Sequence, residues 1–199
     1  MNIIWHGHSC FEITGKDGTI VFDPYQANSV PGLNSLKLKA NLVLCSHEHD
    51  DHNARNCVEV APKDFKVTCI ETYHDHHQGS HRGKNTIHIV DFEDLKVVHM
   101  GDIGCMMDDV SKLKNCDVLM IPIGGYYTID TKEALKYIER IQPRIVIPMH
   151  YRSHEFGYDV LSTNEVFIQK SSNIVYIDDY LEVHKETKGQ TIVFKKPRN

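Results

Sequence analysis

Within the seven residues Ser46-His47-Glu48-His49-Asp50-Asp51-His52 stand three imidazoles and three carboxylates. A closed structural metal site is built from four Cys or His donors, whereas a catalytic one mixes His with carboxylate and keeps a position open for water. The segment has the second composition. His47 and His49, two residues apart, can turn to one side of a loop and share an ion, while Asp51 and His52 turn toward another. Two divalent ions about 3.5–4 Å apart are the arrangement that activates water and polarises a substrate in dinuclear hydrolytic sites. A solvated His-rich turn that picks up metal adventitiously is the bland alternative. It is disfavoured by the strand-type run Asn41-Leu42-Val43-Leu44-Cys45, which places the donors on a loop leaving a buried strand.

Two ions need more donors than this loop supplies, and three later places qualify. Tyr73-His74-Asp75-His76-His77 follows Val67–Ile70, Met100-Gly101-Asp102 follows Leu95–Val98, and Pro148-Met149-His150 follows Ile145–Ile147. Each candidate donor stands at the C-terminal end of a predicted strand, so all can converge on one sheet edge. Four histidines crowd the first of these places, His74, His76, His77 and His81, of which His74 ends the strand-like run directly. His99, inside a strand, reads as a hydrogen-bonded core residue, and His6, His88, His154 and His184 receive no role.

The elements that must position these groups are short. Ile3–Trp5, Cys10–Ile13 and Thr19–Phe22 form an expected meander punctuated by Gly7 and Gly15-Lys16-Asp17-Gly18. The clearest helix runs from Thr131 to Ile141. Asp130 and Glu133 make a capping-box pattern, Ala134, Leu135, Ile138 and Ile141 make the apolar stripe, and Pro143 stops it. A second helix is expected to begin at Ser162, with Glu165 in the matching box position. Strands, a helix and further strands in each half suit two facing sheets covered by helices.

With these residues in view, the chain resembles the metallo-β-lactamase superfamily over most of its length. Residues 47 to 52 match its His-x-His-x-Asp-His signature, and Asp23, after Thr19–Phe22, matches its first aspartate, which supports the ligands from behind. More narrowly, Gly7-His8-Ser9, Arg82-Gly83-Lys84-Asn85, Met100–Gly104, Ile121–Asp130 and Pro148-Met149-His150-Tyr151 resemble the branch of small metal-dependent hydrolases that contains L-ascorbate-6-phosphate lactonase. The resemblance implies an α/β (α+β) fold, an αββα sandwich of two mixed β-sheets flanked by helices. It implies that His47, His49 and His74 hold a first divalent ion, that Asp51, His52 and His150 hold a second, and that Asp102 bridges them. Zinc is the expected metal, with manganese or iron as alternatives, since no cysteine donor is present to force the choice. The reaction implied is cleavage of a small lactone, phosphodiester or related ester by a hydroxide held between the ions. Asp51 and Asp102 are the catalytic carboxylates, and Arg82, Tyr126 and Tyr127 are expected to touch the small-molecule substrate.

The bounds of the chain agree. Its 199 residues are an ordinary length for a single domain, 1–199, and 41% hydrophobic content is globular. A net charge of −5 gives no reason to expect nucleic acid as a partner. No apolar run approaches membrane-spanning length, and the N-terminus carries no export pattern, so a cytoplasmic enzyme is expected. Length and the missing insertions argue against superfamily nucleases with an added domain and flavodoxin-fused members. The six cysteines show no Cys-x-x-Cys spacing and read mostly as reduced core residues, Cys10 and Cys45 included. The competing class is a non-enzymatic metal-binding or sensory domain that keeps the fold; oligomeric state is left open.

Overall fold

The computed structural model describes residues 1–198. The chain opens with β1 (Asn2–Gly7), β2 (Cys10–Gly15) and β3 (Gly18–Phe22), followed by β4 (Leu38–Ala40) and β5 (Leu42–Leu44). In β2, buried Phe11 and Ile13 alternate with partly exposed Glu12 and Thr14, the period-two pattern of a strand with one face on a core. Lys16-Asp17 close the β2–β3 hairpin between Gly15 and Gly18, and β5 pairs with β3 in parallel.

After β6 (Val58–Val60) come the long β7 (Lys66–Tyr73) and β8 (Lys84–Phe92), then β9 (Leu95–His99), β10 (Val118–Pro122), α1 (Thr131–Ile141) and β11 (Ile145–Met149). The chain finishes with α2 (Glu165–Lys170), β12 (Ile174–Ile177), β13 (Tyr180–Glu182) and β14 (Gln190–Phe194). The first sheet runs β13-β1-β2-β3-β5 and the second β12-β14-β11-β10-β9-β8-β7. Every residue of β10, Val-Leu-Met-Ile-Pro, and of β11, Ile-Val-Ile-Pro-Met, is buried. This is the near-continuous apolar composition of parallel strands covered on both faces. Pro148 is tolerated there because β11 has β14 beside it only at Ile145 and Val146. Between the sheets, Trp5, Phe11, Ile13 and Phe22 join Ile87, Val97, Met120 and Ile147 in one core. The outcome is the expected α/β sandwich of two mixed sheets.

The helices differ in detail from the sequence reading. In α1 the Asp130–Glu133 capping box forms in both directions, and the chain leaves through Gln142 in a left-handed conformation. Its buried face also includes Tyr137, whose hydroxyl accepts from Met107 N–H at 2.7 Å and donates to the Cys105 carbonyl at 2.9 Å. The second helix does not start at Ser162. It begins at Glu165 after Asn164, because the Ser162 N–H is taken by the Gly124 carbonyl and Thr163 is drawn into a bridge with Arg152. Both α-helices of the described residues follow residue 130, and the first half contributes only a 3-10 turn at Arg55–Cys57. The outer face of the first sheet is covered instead by the β4–β6 pair and its loops, around Val21, Tyr25, Val30, Leu36 and Val58. Of the six cysteines only Cys10 and Cys116 are buried, while Cys69 is exposed, so the core reading of most of them is corrected. No helix of the described residues is long and apolar enough to cross a membrane.

β7 and β9 are both antiparallel to β8, and β9, β10 and β11 are parallel. The C-terminal ends of β7, β9 and β11 therefore lie along one edge, where they meet the ends of β3 and β5. The crowding there explains Gly101. It sits at φ +55°, and a Cβ would lie 2.3 Å from Asn85 Oδ1 and 2.4 Å from Ser46 Cβ. Gly101→Ala should cost about 2 kcal/mol or more, from backbone strain plus steric conflict, read as a lowered thermal midpoint. An unchanged midpoint would show that this edge is looser than described.

Candidate metal centre

The centre is assembled around Asp23, fully buried just after β3. Its Oδ1 accepts the Ser46 N–H at 2.6 Å, and its Oδ2 accepts the Ser46 hydroxyl at 2.7 Å and the Nδ1–H of His52 at 2.8 Å. The Ser46 hydroxyl, having given its proton to Asp23, accepts from Nδ1–H of His47 at 2.9 Å. One carboxylate thus sets the tautomer of two histidines, as partners behind metal ligands do. Each is left with its Nε2 turned to the centre, where both atoms are buried, that of His52 facing Asp102 Oδ2 at 3.2 Å.

All seven sequence-chosen donors come together. Donor atoms of His47, His49 and His74 lie within 4.8 Å of one another, as do those of His47, His52 and Asp102, and those of Asp51, His52 and His150 with His8 added. Asp102 is central: its Oδ2 stands 3.2 Å from His52 Nε2, 3.3 Å from His74 Nε2 and 3.0 Å from His150 Nε2. The alternatives to His74 point elsewhere. His76 is exposed and pairs with Glu133 at 2.9 Å, and the exposed His77 and His81 rings face each other at 4.3 Å. His99 stays in the core, donating Nε2–H to the Ser9 carbonyl and stacking on Phe22.

The electrostatics call for a cation. Burial would raise Asp102, yet His150 and His52 hold it well below the usual carboxylate range, and Asp23 is likewise held down by His52, His99 and His47. Burial takes His47 down to about 3 and His8 to about 4, whereas His52, although burial opposes it, is lifted well above the usual imidazole range by Asp102, Asp51 and Asp23. Beyond the two Nε2 atoms, His74 Nδ1, His150 Nδ1 and Asp102 Oδ1 are also buried and unpartnered. Each such atom costs about 1–3 kcal/mol when nothing meets it. A mixed imidazole and carboxylate set of this kind fits divalent metal.

Beside the donors, Asp75 shapes the loop after β7 by accepting N–H groups of His77, Gly79, His81 and Arg82 at 2.7–3.0 Å. Arg82 is thereby carried to the Tyr126 and Tyr127 rings, 5.8 and 5.2 Å from its guanidinium carbon. These three sequence-chosen residues line one cleft of ≈ 450 Å³ together with His76, Lys132 and Lys136. Three further residues escaped the sequence reading. Asn85 accepts the Asp102 N–H at 2.8 Å while donating to the Met100 carbonyl, and Tyr158 reaches Asp51 Oδ2 at 3.3 Å. His8 reaches the same oxygen at 3.2 Å. Asn85 and His8 lie in short motifs already noticed; Tyr158 had no local signal.

Fold and donor set define an α/β sandwich with a His and Asp cluster suited to divalent metal. Residues 2–150 match the beta-lactamase superfamily domain, and the chain belongs to that superfamily. Among its relatives is a UPF0173 metal-dependent hydrolase of Thermoplasma acidophilum, 28% identical over 78% of this chain and 85% of that protein. Another, from Staphylothermus marinus, is 30% identical over 74% and 82%. A crystal structure from Thermotoga maritima, put forward as a Zn-dependent hydrolase of the metallo-beta-lactamase superfamily, covers 97% of each chain at 26% identity with a TM-score of 0.78. The chain is accordingly a metal-dependent hydrolase, and the non-enzymatic reading is set aside.

Because Asp23 holds His52 directly and His47 through Ser46, Asp23→Ala should weaken zinc binding by about 10- to 100-fold. Competition titration against a chromophoric chelator measures this. Wild-type affinity in the variant would remove Asp23 from its supporting place.

Proposed function

We propose that the centre holds two divalent ions and hydrolyses a small lactone, phosphodiester or related ester. His47, His49 and His74 would hold the first ion, Asp51, His52 and His150 the second, with Asp102 between them. Zinc suits these donors best, manganese or iron next. The carrying observation is the pair of buried Nε2 atoms on His47 and His52, both freed by the same Asp23 network. Bound ions supply a water that ionises near neutral pH and a Lewis acid for the scissile oxygen.

The chain's own groups do the rest. Asp102, fixed through its N–H by Asn85, keeps its carboxylate central. Asp51 is the carboxylate placed to pass a proton to the leaving group. Tyr158, pushed up by burial and by Asp51, stays protonated at that edge, its hydroxyl donating to the Ser29 carbonyl at 2.7 Å. No protein nucleophile is required: burial pushes the Cys45 thiol up to about 12, and Cys10 is sealed in the core. The cleft favours a substrate carrying negative charge. Its acids are committed, Asp75 to four backbone N–H groups and Asp130 and Glu133 to the helix cap, with Glu133 also on His76. Arg82 can grip a carboxylate or phosphate bidentately between the tyrosines.

Purified protein should take up close to two ions per chain and lose hydrolysis on chelation, as followed by metal analysis against a panel of lactones and phosphodiesters. His74→Ala should lose first-ion affinity and His81→Ala should not; a maximum of one ion in the wild type would sink the dinuclear reading. For an anionic substrate of that panel, Arg82→Ala should raise KM about tenfold, the scale of one charge-assisted hydrogen bond, with kcat little changed. Equal KM values would take Arg82 out of substrate binding.

A further inference from the structure

His8 is the one donor in the cluster that the seven-residue set leaves over. It forms, with Ser9, the two-residue turn between paired Gly7 and Cys10 at the tip of the β1–β2 hairpin. Its backbone is left-handed at φ +51°, its side chain is buried, and its carbonyl accepts both the Trp5 indole N–H at 3.1 Å and the His150 N–H at 3.3 Å. A non-glycine residue holds such a conformation only where its surroundings fix it. The imidazole then touches both flanks of the second site. Nε2 donates to Asp51 Oδ2 at 3.2 Å, and the ring lies 4.1 Å from that of His150. Tyr158, whose hydroxyl donates to the Ser29 carbonyl at 2.7 Å and lies 3.3 Å from the same Asp51 oxygen, meets the His8 ring edge-on at 5.8 Å.

The spacing of His8 to His150, though not its 5.2 Å to His52, sets it apart from the ligating pairs. Imidazole pairs assigned to a common ion stand farther apart: 4.5 Å for His47–His49, 4.7 Å for His47–His74, 5.2 Å for His49–His74 and 5.9 Å for His52–His150. Two rings bound through nitrogen at about 2.0–2.1 Å with tetrahedral splay are held apart by the ion. At 4.1 Å the His8 ring is packed on the His150 ring instead. Resting on the two-ion reading, we infer that His8 is a positioning residue. It locks Asp51 and His150 together, so that affinity for the second ion depends on it and affinity for the first does not.

The test compares apo wild type, His8→Asn and His8→Gln. Asparagine tolerates positive φ but is too short to reach Asp51, so the turn survives while the contact goes; glutamine is long enough to restore an N–H donor. Each is titrated with zinc against a competing chelator and with cobalt by visible absorption, with thermal unfolding of the apo proteins as the folding control. In His8→Asn the second ion should bind about 10- to 100-fold more weakly, the scale of lost support behind a metal ligand, with the first unchanged. His8→Gln should recover part of that loss, and cobalt-saturated His8→Asn should keep the wild-type band shape because no ligand is gone. Equal weakening of both ions, weakening of neither, or a changed band at saturation would overturn the assignment, the last by making His8 a ligand. One ion in the wild type sinks the two-ion reading and this one with it, whereas two ions in both proteins with equal affinities sinks this one alone.

Discussion

A buried carboxylate has no water to share its charge, so its lone pairs must be met by donors from the chain, and Asp23 satisfies that demand with groups from the next strand's loop. Ser46 approaches with both its amide and its hydroxyl, and His52 with its ring. The pairing of β3 with β5 and the orientation of His47 and His52 are consequently one event. Were the carboxylate left unmatched, the cost would be several kcal/mol; matched, it ties Ser46 and His52, at the two ends of the His-rich loop, to the end of β3.

Much of this was legible in one dimension because the signals are local. The 47–52 cluster, the apolar runs before each donor and the Asp130–Glu133 box all sit within a few residues of the structure they specify. That the His74 ring, and not that of His81, lies beside His47 and His49 follows from its place at the end of β7. What stayed hidden depends on distant contacts. His8 meets Asp51 across 43 residues and Tyr158 meets it across 107, and neither carries a pattern that announces the partner. The missing first-half helix has a similar cause, since the outer face of the first sheet is filled by loop residues such as Tyr25, Val30 and Leu36, which show no period. At Ser162 a good local cap signal was overridden by pairing with Gly124 and by the Thr163–Arg152 bridge.

The donors also divide by burial. His74 and His150 are buried directly after strands, His52 is braced by Asp23 and Asp102 by Asn85, whereas His49 is exposed on the loop and Asp51 is partly open beside Tyr158. Exchange with solvent and with substrate therefore has its freest route past the His49 and Asp51 side, while the opposite side is held by the interior of the sandwich.

Asp75 places its negative charge where backbone amides alone answer it, so the curl of residues 76–82 is written into main chain and leaves its side chains spare. Gly79 is the position of this curl that a side chain would disturb, since it sits at φ +79° with a Cβ 2.8 Å from the Gly83 carbonyl oxygen. The donor cluster is thus anchored by Asp23 and the loop that carries Arg82 by Asp75, two buried carboxylates that answer to separate sets of donors.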